Sequence, residues 1–207
     1  MQKENKIQRF FINDSLLLVS FIVFVALLVI NIVAKLFIGL YSLCISDLCF
    51  LICVIFLYIA FKSHNKNVQK GLLGAVLMWY FVDQLNFVVN NIIFDPTVFE
   101  VYSSFFGVGY IILSLIILVL ITVFSVNHFI ISGDHKSRRG NVNFELVLGI
   151  ILSIVSFVCI IFQVPVVYPS VADIIECVSW HIGTIALLFV VGSFEANFEA
   201  WKELRES

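Results

Sequence analysis

The sequence predicts an all-α, polytopic integral membrane protein of six transmembrane helices with both termini in the cytoplasm. Three observations predict it. First, 61% of the 207 residues are hydrophobic and only 13% are charged, whereas soluble domains hold roughly half apolar and about a quarter charged residues. Second, six apolar runs are bounded by charged or turn residues, and about 20 apolar residues at 1.5 Å rise cross the hydrocarbon core. Third, the basic residues alternate along the chain in step with those runs.

The runs cover roughly 15–38, 41–61, 71–94, 105–131, 144–163 and 174–194. The first follows the polar leader MQKENKIQRFFINDS, in which Asn13, Asp14 or Ser15 can cap a helix by accepting its orphan N–H groups. Its apolar stretch is too long for a signal-peptide core, and no small-residue cleavage site follows it. With the N-terminus inside, the internal segments carry Lys3, Lys6 and Arg9, then Lys62, Lys66 and Lys70, then Lys136, Arg138 and Arg139, then Lys202 and Arg205. The external connections carry Asp95, Glu100 and Asp173 and all three prolines, and Lys35 is the one basic residue outside the internal segments. Short basic loops stay cytoplasmic, so every connection agrees with one orientation.

No Ser/Gly-rich linker or soluble insert interrupts the pattern, so residues 1–207 are expected to form a single six-helix domain. Residues 195–207 are expected to prolong the last span as a cytoplasmic amphipathic tail, with Phe194, Phe198 and Trp201 at i, i+4 and i+7. Such a tail meets the membrane surface or a membrane-protein partner. The net charge of -2 gives no reason to expect nucleic acid. Abundant Ile, Phe and Asn with few Pro and Gly suit an AT-rich bacterial genome, and the expected location is the plasma membrane.

Polar groups concentrate in the stretch WYFVDQLNFVVNNIIFDP of the third run. At about 100° per residue, Asp83, Asn86 and Asn90 form one stripe, with Gln84 and Asn91 displaced to one side and Tyr80 and Phe87 between. An unpaired polar group costs several kcal/mol in hydrocarbon, so this face is expected to look into the bundle. Lys35 lies about 30 Å of helix beyond Ser15, with Asn31 a turn below it. Asp47, Glu176 and His181 also fall in the external halves of their runs. The candidate ligand-binding set is therefore Asp83, Asn86, Asn90, Asn91, Tyr80, Asp47, Lys35 and His181.

The competing reading is packing: Asn and Asp join membrane helices through hydrogen bonds at roughly 0.6–2 kcal/mol each, and Lys35 with Asp47 can neutralise each other across the first hairpin. Mid-membrane ionisable groups such as Asp83 more often mark ligand, ion or proton sites. Glu176 and His181 differ by about 140° around their helix and are not expected to share a face.

The five cysteines contain no C-x-x-C pair, although Cys44 and Cys177 both lie near the external side. The four histidines show no metal-ligand spacing, and neither a G-x-S-x-G element nor a phosphate-binding glycine loop is present. No catalytic residue, metal or cofactor is expected. The expected function is a small membrane protein that binds a polar solute or ion from outside, as an uptake subunit or a sensor. An accessory subunit docking another membrane protein and a proton-coupled transporter using Asp83 and His181 are the alternatives.

Overall fold

The computed structural model describes residues 10, 14–63, 66–89, 102–129, 138–163 and 170–206. These residues form six helices and, among the described residues, no strand. We number them α1 (Asp14–Ile38), α2 (Tyr41–Lys62), α3 (Lys66–Val88), α4 (Phe105–Phe129), α5 (Arg138–Ile161) and α6 (Val171–Glu206). Five are long and apolar enough to cross a membrane; in α5 the apolar part is the shorter segment Glu145–Ile161.

The helix ends follow from local chemistry. Gly39, at φ 86°, stands just beyond α1 in the left-handed region that only glycine enters freely. There Leu40 N donates to Lys35 O at 2.9 Å and Gly39 N to Leu36 O at 3.3 Å. This crossed pair of bonds is the Schellman arrangement, which satisfies carbonyls the helix leaves open. At the start of α4, Ser104 Oγ accepts from Gly107 N at 3.0 Å. Gln163, beyond α5, donates to the same hydroxyl and ties the two helices together. At α6, Ser170 Oγ accepts from Asp173 N at 3.1 Å while Asp173 Oδ2 accepts from Ser170 N at 3.1 Å. That reciprocal capping box explains where α6 begins.

Each helix packs on the next in chain order, and α6 returns to α1, which closes the six into a ring. The α1–α6 interface is the most extensive, and α3 reaches α6 across the ring. Neighbours run antiparallel: Leu27 faces Gly183, and Asn31 faces Ser179. One end of the ring therefore holds the Gly39 turn and the starts of α4 and α6. The other holds Ser63, at the end of α2. We call these the Gly39 end and the Ser63 end.

A single apolar core runs through all six helices, including Phe24, Phe50, Leu77, Ile121, Ile150 and Phe194. A smaller cluster of Tyr102, Tyr110, Ile111, Ile160 and Cys177 lies toward the Gly39 end. The outward residues, such as Val19, Ile22, Ile52, Val119 and Ile151, are large and apolar, the inverse of a water-soluble bundle and what lipid requires. Lipid tails are as apolar as leucine, so close packing rather than exclusion of water joins these helices. Small residues permit that approach. In α5, Ser153 is buried, and a Cβ on Gly149 would lie 3.9 Å from Leu188.

Gly183 of α6 is buried against α1, where an added Cβ would stand 3.7 Å from Leu27 Cβ. An alanine fits that space and favours the helix, whereas larger side chains would push the two backbones apart. Thermal unfolding in detergent should leave Gly183→Ala as stable as the parent, while Gly183→Leu loses about 1–3 kcal/mol through overpacking.

Candidate functional site: charged residues at one end of the ring

Four helices bring charged residues to the Gly39 end at similar depth. Lys35 is three residues from the end of α1 and Asp47 six from the start of α2. Asp83 is five from the end of α3, and Glu176 five from the start of α6. At 1.5 Å per residue these positions differ by only about 5 Å along the bundle. The Gly39 turn sets the register of the first two. Reversing the chain within two residues brings Cys44 Sγ 3.7 Å from Ile32 O and sets Lys35 opposite Asp47.

The Lys35 ammonium donates to Asp47 Oδ2 at 2.7 Å and lies 3.7 Å from Glu176 Oε1. The side chains of Lys35 and Asp47 are 8% and 3% exposed, and that of Glu176 is 24% exposed. Charges so enclosed lose hydration worth several kcal/mol each and persist only where opposite charge and hydrogen bonds replace it. Asn31, fully buried, supplies one of those bonds. Its Nδ2 donates to Glu176 O at 2.9 Å, with Glu176 Oε1 at 3.4 Å and Ser179 Oγ at 3.3 Å. The network thus joins α1, α2 and α6.

Beneath the carboxylates lies an aromatic floor. The Lys35 ammonium stands 5.5 Å above the Trp180 ring, a cation–π arrangement. Trp180 meets Trp79 edge to face at 5.6 Å, and Trp79 stacks on Phe50 at 3.8 Å. Trp79 Nε1 donates to Ser46 Oγ at 3.2 Å. One helical turn separates each indole from its carboxylate, Trp79 from Asp83 and Trp180 from Glu176.

Asp83 interacts electrostatically with Lys35, Asp47 and Glu176. Among the described residues its carboxylate makes no hydrogen bond or ion pair. Tyr80, 2% exposed one turn below the Asp83 backbone level, lies beside Thr184 of α6. Asn86 is exposed beside Val82 and Leu85 rather than gathered with Asp83 on the buried face. Asn90 and Asn91 lie outside the described residues.

His181 lies on the other side of α6. Its Nδ1 is 2.8 Å from Cys177 O, and its ring contacts Phe157 and Tyr110 at 6.2 and 5.7 Å. It is therefore separated from Glu176 by the turn of the helix, as their spacing predicts. No disulfide joins any of the five cysteines. Cys44 makes hydrogen bonds toward backbone carbonyls of Leu40 and Ile32. Among the described residues no three His, Cys, Asp or Glu side chains gather closely enough to hold a metal ion.

The sequence reading of the site left out Glu176, Asn31, Ser179 and both indoles. Glu176 carried a usable signal, since its depth on α6 matches those of Lys35 and Asp47 on their own helices. The closure of α6 on α1, which makes that depth matter, has no local signature. Comparison with known proteins gives no match to a family model, to a curated protein or to a solved structure.

The ion pair can be tested by its asymmetry. Lys35→Met leaves Asp47 buried without its partner and should lower unfolding stability in micelles by about 3–5 kcal/mol. The double variant Lys35→Met/Asp47→Leu removes both charges and should recover most of that loss.

Proposed function

We propose that the protein is a small integral membrane binding protein that captures a polar solute or ion from outside the cell, as an uptake subunit or a sensor. In this reading all six helices span the plasma membrane of a bacterial cell, and both termini are cytoplasmic. The Gly39 end faces outward. The helix α5 supports the sixth span because it packs between α4 and α6 within the ring. The alternation of basic residues supports the orientation.

The observation that carries the reading is Asp83, a carboxylate within electrostatic reach of a charged network and without a hydrogen bond or ion pair among the described residues. Three carboxyl groups lie within electrostatic reach of one ammonium. Ionisable groups gathered near hydrocarbon are costly and commonly mark ligand, ion or proton sites. The Phe50, Trp79 and Trp180 rings lie beneath the network, which favours a site reached from one side over a continuous pore.

A second reading rests on Asn86. An exposed amide among the apolar surface residues Val82 and Leu85 suits a helix from another membrane protein, which would make this chain an accessory subunit. That reading expects a defined partner after mild solubilisation, lost on Asn86→Leu.

Orientation is open to labelling in a cysteine-free background. A membrane-impermeant maleimide should modify Ser103→Cys in intact cells and Ser63→Cys only after permeabilisation; the reverse pattern would overturn the outward-facing site. For binding, a screen of small polar solutes against the purified protein should find one that raises its melting temperature. Asp83→Asn should weaken that solute at least tenfold, and unchanged binding in the variant would remove the residue on which the reading rests.

A further inference from the structure

The outward face of α3 is not built like those of α1 and α4. There the lipid side is dense with branched residues such as Val19, Ile22, Ile112 and Val119. On α3 the exposed residues Gly71, Ala75, Met78, Val82 and Asn86 follow one another at intervals of four, three, four and four. At 100° per residue they fall within a strip about 80° wide, and at 1.5 Å rise the strip runs about 22 Å along the span.

One end of this strip is nearly flat. No atom lies within 4 Å of where a Cβ on Gly71 would stand, and Ala75, one turn on, adds a single methyl. Small residues one turn apart let two membrane helices bring their backbones together. The other end is polar. Asn86 makes no hydrogen bond among the described residues. Thr122 and Ser46, also exposed, are satisfied within the chain: Thr122 Oγ1 donates to Leu118 O at 2.8 Å, and Ser46 Oγ accepts from Trp79 Nε1. An amide left toward hydrocarbon is costly, so the strip calls for a partner that brings both a donor and an acceptor to the depth of Asn86.

A second copy of the chain meets that requirement. Copies inserted with one orientation, as the basic residues direct, can pair isologously only about a two-fold axis along the membrane normal. Each residue of the strip then meets its own counterpart at equal depth. A charged side chain in that position would repel itself. An Asn amide donates through Nδ2 and accepts through Oδ1, so two of them facing each other exchange two hydrogen bonds, and a single Asn in an apolar seam fixes register and copy number.

We infer that two copies of this protein pair through α3, with Gly71 and Ala75 at the close approach and the two Asn86 amides bonded to each other. The inference goes beyond ligand binding at the Gly39 end and does not depend on it.

Two differently tagged, cysteine-free copies expressed together in one cell test the seam. Oxidation of the membranes should join Val82→Cys copies into disulfide-linked dimers carrying both tags, and should leave Ile22→Cys and Val119→Cys copies monomeric. Photobleaching of the wild-type chain in liposomes, one fluorophore per copy, should proceed in two steps and revert to one on dilution with lipid. Asn86→Leu and Gly71→Leu, both on the outward face, should keep the melting temperature measured under monomeric conditions while raising the dissociation constant about tenfold. Single-step bleaching of the wild type at every lipid ratio would overturn the pairing without recourse to any variant, as would cross-linking through position 22 or 119 in place of 82. Undiminished pairing of Asn86→Leu would remove the amide from the interface. If position 82 joins only a different membrane protein, the second copy is the wrong occupant and the accessory reading takes its place.

Discussion

The Lys35 ammonium, held between Asp47 of α2 and Glu176 of α6, ties the first hairpin of the ring to its last helix. A charge in that position fixes more than a contact. Lys35 can be satisfied only if α2 has the register that presents Asp47 and α6 the rotation that presents Glu176. Asn31 repeats the requirement one turn away, because its amide needs Glu176 and Ser179 of the same helix. Polar satisfaction in hydrocarbon is nearly obligatory, so these few bonds select one arrangement among the many that apolar packing alone would allow.

The two ends of the ring are built on different principles. Toward the Ser63 end, contacts such as Phe61 with Phe194 at 5.2 Å are dispersive, individually weak and summed over many atoms. Toward the Gly39 end, α6 divides the interior. Its Glu176 and Trp180 face the charged network, while Cys177 and His181 face Tyr110 and the apolar cluster on α4 and α5. One helix thus separates a polar compartment from an aromatic one by its 3.6-residue period.

The spans were legible because hydropathy is a local property. The apolar runs at 15–38, 41–61 and 105–131 correspond closely to Asp14–Ile38, Tyr41–Lys62 and Phe105–Phe129. Helical ends in polar sequence were less so: α3 begins at Lys66 and α5 at Arg138, ahead of their apolar runs, because a helix continues into water as readily as its propensities allow. For the site, periodicity gave the faces of single helices, including the opposition of Glu176 and His181. It could not give which helices adjoin. Lys35 and Asp47 were readable as a hairpin pair, whereas Asn31 with Ser179 spans 148 positions and depends on ring closure. Asn86 shows the limit of a wheel drawn on one helix, since its neighbours decide which part of a broad polar face is covered.

The glycine turn at the end of α1 bears on the order in which the protein can be assembled. Its two backbone bonds lie within six consecutive residues, and the ion pair it aligns joins positions twelve apart. Both are complete once the second helix has left the ribosome. Lys35 and Asp47 stand near the ends of their helices, where an unpaired charge costs less than the roughly 2.5–3.5 kcal/mol of a helix centre, and a hairpin that cancels its charges internally carries less of that cost into the bilayer. The turn at Gly39 thus makes the most polar part of the first hairpin a locally closed, charge-balanced unit that needs no contact from α6 to align it.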